Sequence, residues 1–246
     1  MVRLILFLVV VLVSNIVQCV TGFAGTVLAM PFSVRLIGFD SAKTILNILG
    51  LSASVGVVAT NRKSFNKKEF IKLTVIMLLG MTVGFFLSDR FAAYQNVLYK
   101  VLGVLVLGFT VLGCVRTFSE KEKSQKGTKT SRLMYLTLAA AGIVHGMFVC
   151  GGPLLVVYAS QKLKDKDEFR TTVSAMWIVL NGIMMIKDAA VGNINGELIF
   201  PLCISLAVPG FAIFLGNMVA KKINKTAFSV VTYVLMAISA VSLLIK

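Results

Sequence analysis

The sequence predicts an all-α polytopic integral membrane protein made of two inverted-topology repeats. Each repeat is a broken or re-entrant helical hairpin followed by three transmembrane helices, roughly eight to ten membrane segments in all. Three observations carry this. First, 57% of the 246 residues are hydrophobic, 14% are charged and the mean hydropathy is +0.90, more apolar surface than a soluble domain of this length can bury. Second, a glycine-rich interruption occurs twice, as TGFAGTVLAMPFSV from residue 21 and FVCGGPLLVVYAS from residue 148. Third, the positively charged loops change place between the two halves.

In chain order, apolar segments fall at 2–20, 22–37, 42–60, 70–88 and 94–116, then at 132–149, 151–160, 169–187, 197–219 and 227–245. All read as helices, because an open sheet cannot satisfy its backbone in lipid. The first segment, with a lone arginine before its apolar run, has some features of a signal peptide. It lacks an A-x-A site and has a counterpart in the second half, so it reads as a helix of the mature protein. The stretch 151–160 is too short for a bilayer of about 30 Å, which favours a hairpin with its tip inside the membrane. Pro153 suits the first turn of a helix, whereas Pro31, Pro201 and Pro209 read as bends.

The whole chain is one transmembrane domain: repeat 1 at 1–116, a cytoplasmic linker at 117–131 and repeat 2 at 132–246. The halves align as Thr26 with Gly152 (152 − 26 = 126), Lys43 with Arg170 (170 − 43 = 127), and Glu69 with Glu197 (197 − 69 = 128). A small drift in offset is what short loop insertions produce in a duplication. The loop at 61–69 carries four basic residues and one acidic, and 116–132 carries six and two, so both are expected in the cytoplasm. In the second half the counterpart of the first loop, DAAVGNING, is nearly free of basic residues, while AKKINK at 220–225 is basic. That switch is the signature of inverted repeats.

The net charge of +15 is therefore a topology signal rather than a sign of nucleic-acid binding, and the expected environment is a cell membrane crossed many times. Cys19, Cys114, Cys150 and Cys203 are scattered through apolar segments, without disulfide or metal-ligand spacing. No Walker-type loop or Ser/His/Asp constellation stands in the spans, and all ten acidic residues fall in loops or near helix ends. No buried carboxylate relay, metal site, cofactor or enzyme activity is expected.

The candidate binding residues gather around the two breaks. Gly22, Gly25, Gly151 and Gly152 allow close backbone approach, and each restarting helix offers free N–H groups and a positive dipole end to an anion; packing by small residues is the alternative role. Thr21, Thr26 and Gln18 add polar groups to the first break, and His145 and Cys150 flank the second. Lys43 and Arg170, at the start of the next helix in each half, either snorkel or draw anions into a cavity, and Asn47, Ser174 and Asn181 lie on the same helices.

These motifs resemble the doubled glycine-rich signature of the sulfite exporter TauE/SafE family, over essentially the whole chain. The resemblance implies a secondary transporter for a small anion such as sulfite, a sulfonate, thiosulfate or a related organic acid. Thr26, Phe148 and Cys150 stand here at glycine-like positions of the family pattern. The expected partners are a small anionic substrate and the lipid bilayer, with protons coupled through His145 or carried on the substrate, or facilitated diffusion without coupling. Two alternatives differ in kind: a membrane-embedded enzyme or sulfur-relay partner using Cys150, and a passive anion channel. Oligomeric state is not encoded in any of these signals.

Overall fold

The computed structural model describes residues 2–21, 23–60, 62–91, 93–119, 132–163 and 165–222, with 233–234, 237–238, 240–241 and 244–245. Among them are nine α-helices and no strand: α1 (Val2–Thr21), α2 (Gly25–Ile37), α3 (Phe39–Thr60), α4 (Lys67–Phe91), α5 (Gln95–Ser119), α6 (Arg132–Phe148), α7 (Gly152–Lys162), α8 (Lys166–Ala190) and α9 (Gly196–Lys222). The apolar segments read from the sequence recur as helices, with α4, α8 and α9 longer by one to three residues at both ends and α2 starting three residues later. α5 runs on to Ser119, into the stretch read as linker; the rest of that stretch, and most of 227–245, lie outside the described residues.

Five of these helices, α1, α3, α4, α8 and α9, are long and apolar enough to cross a membrane. α2 and α7 are not. At 13 and 11 residues they reach only about 20 and 16 Å, well short of a hydrocarbon core of about 30 Å. α4 shows how the sequence sorts lipid from protein. Ile71, Val75, Leu79, Val83 and Phe86, spaced by three or four residues, form an exposed apolar stripe, and the opposite face buries Leu73, Met77, Gly80, Met81 and Gly84. Such a stripe would be a liability in water and is suited to lipid.

The helix pairs come in matched sets. α4 packs on α6 as α1 packs on α9, α3 on α9 as α8 on α4, and the hairpins α1–α2 and α6–α7 each lean on the next helix of their own half. α3 and α8 pack on each other. They run antiparallel, since Thr44 meets Asp188 while Asn47, one turn later, meets Asn181, two turns earlier on its own helix. α4 and α6 run parallel, Gly80 lying against Gly142 and Gly84 against Gly146. The caps repeat as well: Asn66 accepts from the N–H of Glu69 at the start of α4 and Asn195 from the N–H of Leu198 at the start of α9, 129 positions apart (195 − 66 = 129).

The α4–α6 seam is the tightest of these contacts and was not foreseen from the sequence. Gly80 and Gly84 face Gly142 and Gly146, a small-xxx-small pattern on both helices. A Cβ on Gly80 would strike the Ala139 carbonyl, on Gly84 the Ile143 carbonyl, and on Gly142 the Met77 carbonyl. At the matched α1–α9 seam only Gly216 makes such an approach, to Cβ of Cys19 at 2.7 Å. Farther along, that seam opens into an apolar groove of about 350 Å³ between Leu8, Leu12, Val208 and Phe211.

Because the obstacle at Gly142 is backbone, Gly142→Leu should lower stability by about 1–3 kcal/mol or prevent folding. Gly108→Leu, with nothing within 4 Å of its Cβ position, should stay within about 0.5 kcal/mol of the parent. Thermal unfolding of the two purified variants in one detergent checks the contrast.

Candidate functional site

The first break is built by α1 and α2. α1 ends at Thr21 and, after a bend at Phe23 and Ala24, α2 restarts at Gly25. No side chain of the cap residue Ala24 serves α2; instead Gln18 reaches across from α1, and the Gly25 N–H donates to its Oε1 at 2.9 Å. Glycine is required there, since a Cβ on Gly25 would lie 2.5 Å from the Ser14 carbonyl and 2.6 Å from Gln18 Cβ. Ser14 and Asn15 turn back on their own helix, donating to the Val11 carbonyl at 3.0 and 2.9 Å. Ser14, Asn15, Gln18, Gly25, Thr26, Leu46 and Gly50 enclose a cleft of about 10 Å³, room for roughly one water. The site is closed in this conformation.

The second break is tighter. α6 ends at Phe148, and Val149 takes a left-handed backbone, φ 58°, where a β-branched residue is strained. Its N–H closes the last turn on the His145 carbonyl at 2.8 Å, and α7 starts at Gly152 with Pro153 in its first turn, as the sequence suggested. Gly151 presses on His145, where a Cβ would come within 2.9 Å of that residue's own Cβ.

The two breaks touch. A Cβ on Gly152 would lie 2.5 Å from the Phe23 carbonyl, and the Cys150 thiol points at the Thr26 carbonyl at 3.8 Å. The N-terminal turns of α2 and α7, far apart in sequence, therefore meet in the interior.

A second polar group stands beside this junction. His145 Nε2 lies 2.9 Å from Asn181 Oδ1, and Asn47 Nδ2 donates to the Asn181 backbone carbonyl at 3.0 Å. The His145 ring lies on Trp177 with centroids 4.6 Å apart. Gly50 separates this group from the cleft: a Cβ there would come 3.1 Å from Asn181 Nδ2 and 3.9 Å from Thr26 Cγ2. Three buried atoms of this group have no hydrogen-bond partner, Asn47 Oδ1, His145 Nδ1 and Trp177 Nε1. Trp177 was not singled out in the sequence, where a lone tryptophan on an apolar helix looks like core.

Thus Gln18, Gly25 and Thr26 share one cleft, His145, Asn47 and Asn181 the polar group beside it, and Cys150, Gly151 and Gly152 the junction. Lys43 and Arg170 are not brought together. Both are buried, at 8% exposure, rather than snorkelling into solvent. The antiparallel pairing of α3 and α8 sets them at opposite ends. Lys43 is one turn from Asn47, about 6 Å along the axis, whereas Arg170 is about 16 Å from Asn181 (181 − 170 = 11 residues). Ser174 is buried between Arg170 and Asn181 on α8. The Thr21 side chain and Gly22 lie outside the described residues.

Polar networks tie off both ends of α4 and α8. At one end Lys43 Nζ donates to Ser88 Oγ at 3.1 Å, Thr44 Oγ1 to Asp188 Oδ2 at 3.1 Å, and Lys187 pairs with Asp89 at 2.7 Å. At the other, the Asn66 N–H donates to Thr172 Oγ1 at 3.0 Å, Asn66 Nδ2 to Glu168 at 2.7 Å, and Tyr158 to Glu69 Oε2 at 3.0 Å. Glu69 and Asp188, each in an end turn of its helix, are therefore buried carboxylates. Helix packing covers them, and hydrogen bonds from Tyr158, Thr44 and Asn193 offset the loss of water.

A model of the family described as Sulfite exporter TauE/SafE matches residues 6–243. No curated protein and no solved structure matches the chain.

Gln18→Leu keeps most of the side-chain volume and removes the acceptor from the start of α2. It should cost about 1–3 kcal/mol through the orphaned Gly25 N–H. Gln18→Glu, which restores an acceptor, should recover most of that loss, read as melting temperature side by side.

Proposed function

The chain belongs to the sulfite exporter TauE/SafE family of membrane transporters, and from that premise we propose that it is a secondary transporter moving a small oxyanion by alternating access. One observation carries the reading: two helix N-termini, from matched breaks in the two halves, meet beside a polar cleft in the protein interior. Each N-terminus brings the positive end of a helix dipole, and Lys43, buried on α3, stands one turn from Asn47. An anion is the ligand such a field favours. The substrate class is sulfite, a sulfonate, thiosulfate or a related organic anion.

The mechanism follows from the closed state. A cleft of about 10 Å³ cannot hold an oxyanion, so binding requires the breaks to part. The two end networks are the gates. Lys43–Ser88, Thr44–Asp188 and Lys187–Asp89 lock α3, α4 and α8 at one face, and Asn66, Glu69, Thr172 and Tyr158 lock α4, α7 and α8 at the other. Release of one set while the other holds exposes the junction to one side at a time. Antiparallel α3 and α8, with matched packing pairs around them, support inverted repeats, and the basic 61–69 loop and linker 117–131 are then cytoplasmic.

The thiol reading has less support. Cys150 is fully buried and its sulfur sits against the Thr26 carbonyl, a packing contact between the breaks.

Flux of sulfite in proteoliposomes tests the reading. Lys43→Gln should raise KM about tenfold, and Gln18→Glu, which sets a negative charge beside the cleft, should nearly abolish uptake while the fold survives. Cys150→Ser should leave flux unchanged; its loss would revive the thiol. No saturable flux of any small oxyanion would overturn the transporter reading. Orientation is tested separately, on a chain whose native cysteines are replaced: Lys63→Cys should be labelled from the cytoplasmic side only and Val191→Cys from the outside only.

A further inference from the structure

The unpartnered atoms beside the junction are of mixed kind, and that mixture carries information about the ligand. Asn181 Oδ1 can only accept, so the Nε2 of His145 that faces it at 2.9 Å bears the hydrogen. Nδ1 of the same ring is then a bare acceptor, buried and without a partner. Asn47 is oriented in the same way: its Nδ2 is committed to the Asn181 carbonyl, which leaves Oδ1 as a second unpaired acceptor. Only one unpaired group is a donor, Nε1 of Trp177, on the ring stacked against His145. These residues are 0–4% exposed.

Unpaired buried polar groups are costly, so a ligand that satisfies them gains affinity. A fully ionised oxyanion carries no hydrogen and could satisfy only the indole N–H, while its oxygens would oppose the lone pairs of His145 and Asn47. We propose that the transported oxyanion is held in a singly protonated form, its O–H donated to His145 Nδ1 while a bare oxygen accepts the N–H of Trp177. Trp177 and His145 are then specificity-determining residues, parted from the cleft by Gly50, whose backbone packs against Asn181, so the ligand reaches them only once the breaks separate. The proton crosses on the substrate, so transport is coupled to the pH gradient without a carboxylate relay. The inference rests on the transporter reading and adds to it the protonation state of the cargo.

The surroundings of His145 fit a ring that stays neutral while the ligand brings the proton. α4 opposes α6 with Met77, Gly80, Met81 and Gly84, and the second break contributes Cys150 and Gly151. α8 contributes Trp177 and Asn181. The partner that faces the ring is the Asn181 amide rather than a carboxylate, and on α3 Lys43 stands one turn from Asn47.

Trp177 is the only tryptophan in the chain, so its emission reports on this site alone. The purified full-length protein in lipid nanodiscs is titrated with sulfite in pH steps across the range in which hydrogen sulfite loses its proton, and with methanesulfonate, which stays ionised throughout. The expected result is a saturable emission change with sulfite whose apparent dissociation constant rises about tenfold per pH unit above that range, following the protonated fraction. Methanesulfonate should bind at least tenfold more weakly. His145→Phe keeps a ring on Trp177 and removes the acceptor, so the pH dependence should disappear; His145→Asn serves if the phenyl ring does not fold. Trp177→Phe should raise the KM of sulfite flux about tenfold with an unchanged melting temperature.

Equal, pH-independent binding of sulfite and methanesulfonate would overturn the proposal and leave the transporter reading intact. So would saturable flux with no change in Trp177 emission, which would put the ligand elsewhere. If no small oxyanion moves and none alters the emission, the transporter reading falls and this inference falls with it.

Discussion

Interrupting a helix inside a bilayer leaves several N–H and C=O groups without partners, and lipid offers none, at a cost of several kcal/mol for each group. The rest of the structure is arranged around the answer to that problem. The two interruptions are placed against each other, with Gly152 on the Phe23 carbonyl and the Cys150 thiol on the Thr26 carbonyl, and a side chain from the preceding helix, Gln18, serves the N-terminus of α2. The contact between the breaks ties the two halves of the chain together in the interior.

Bringing two hairpins together in this way demands unusually close helices. Glycines at the α4–α6 seam let backbones touch, and the lipid-facing stripe of α4 lies on the far side of the same helix. Dispersion between closely fitted backbones, rather than exclusion of water, is what holds such a seam in a solvent already apolar. The α1–α9 seam has one such glycine and opens into an apolar groove, so the two sides of a nearly symmetric molecule are unequally tight.

Charge is handled by position. Asp89 and Lys187 sit near helix ends and pair there, with Lys187 also over the Phe85 ring at 4.5 Å. Glu69 and Asp188 are buried but engaged, Glu69 by the Tyr158 hydroxyl and the Lys72 ammonium, Asp188 by the Thr44 hydroxyl and the Asn193 amide. The interior junction holds neutral groups instead, Asn47, Asn181, His145 and Trp177, with Lys43 one turn away.

The helices, both breaks and the membrane setting were legible in the sequence, because each is written locally: hydropathy over about twenty residues, glycine and proline at an interruption, basic residues in short loops. Pro153 at the start of α7 is such a case. What touches what was not legible. That Lys43 and Arg170 fall at opposite ends, that Trp177 stacks on His145, that Glu69 and Asp188 are buried, and that Gly80 and Gly84 meet Gly142 and Gly146 depend on pairings between segments far apart in the chain. Periodicity says which face of a helix is turned inward but not which helix it will meet, and glycines that fix a crossing carry no hydropathy signal of their own. The sequence by itself determined the parts and their order. Packing decided which groups meet where the breaks come together, the Cys150 thiol on the Thr26 carbonyl and Gly152 against Phe23, because those contacts join residues more than a hundred positions apart.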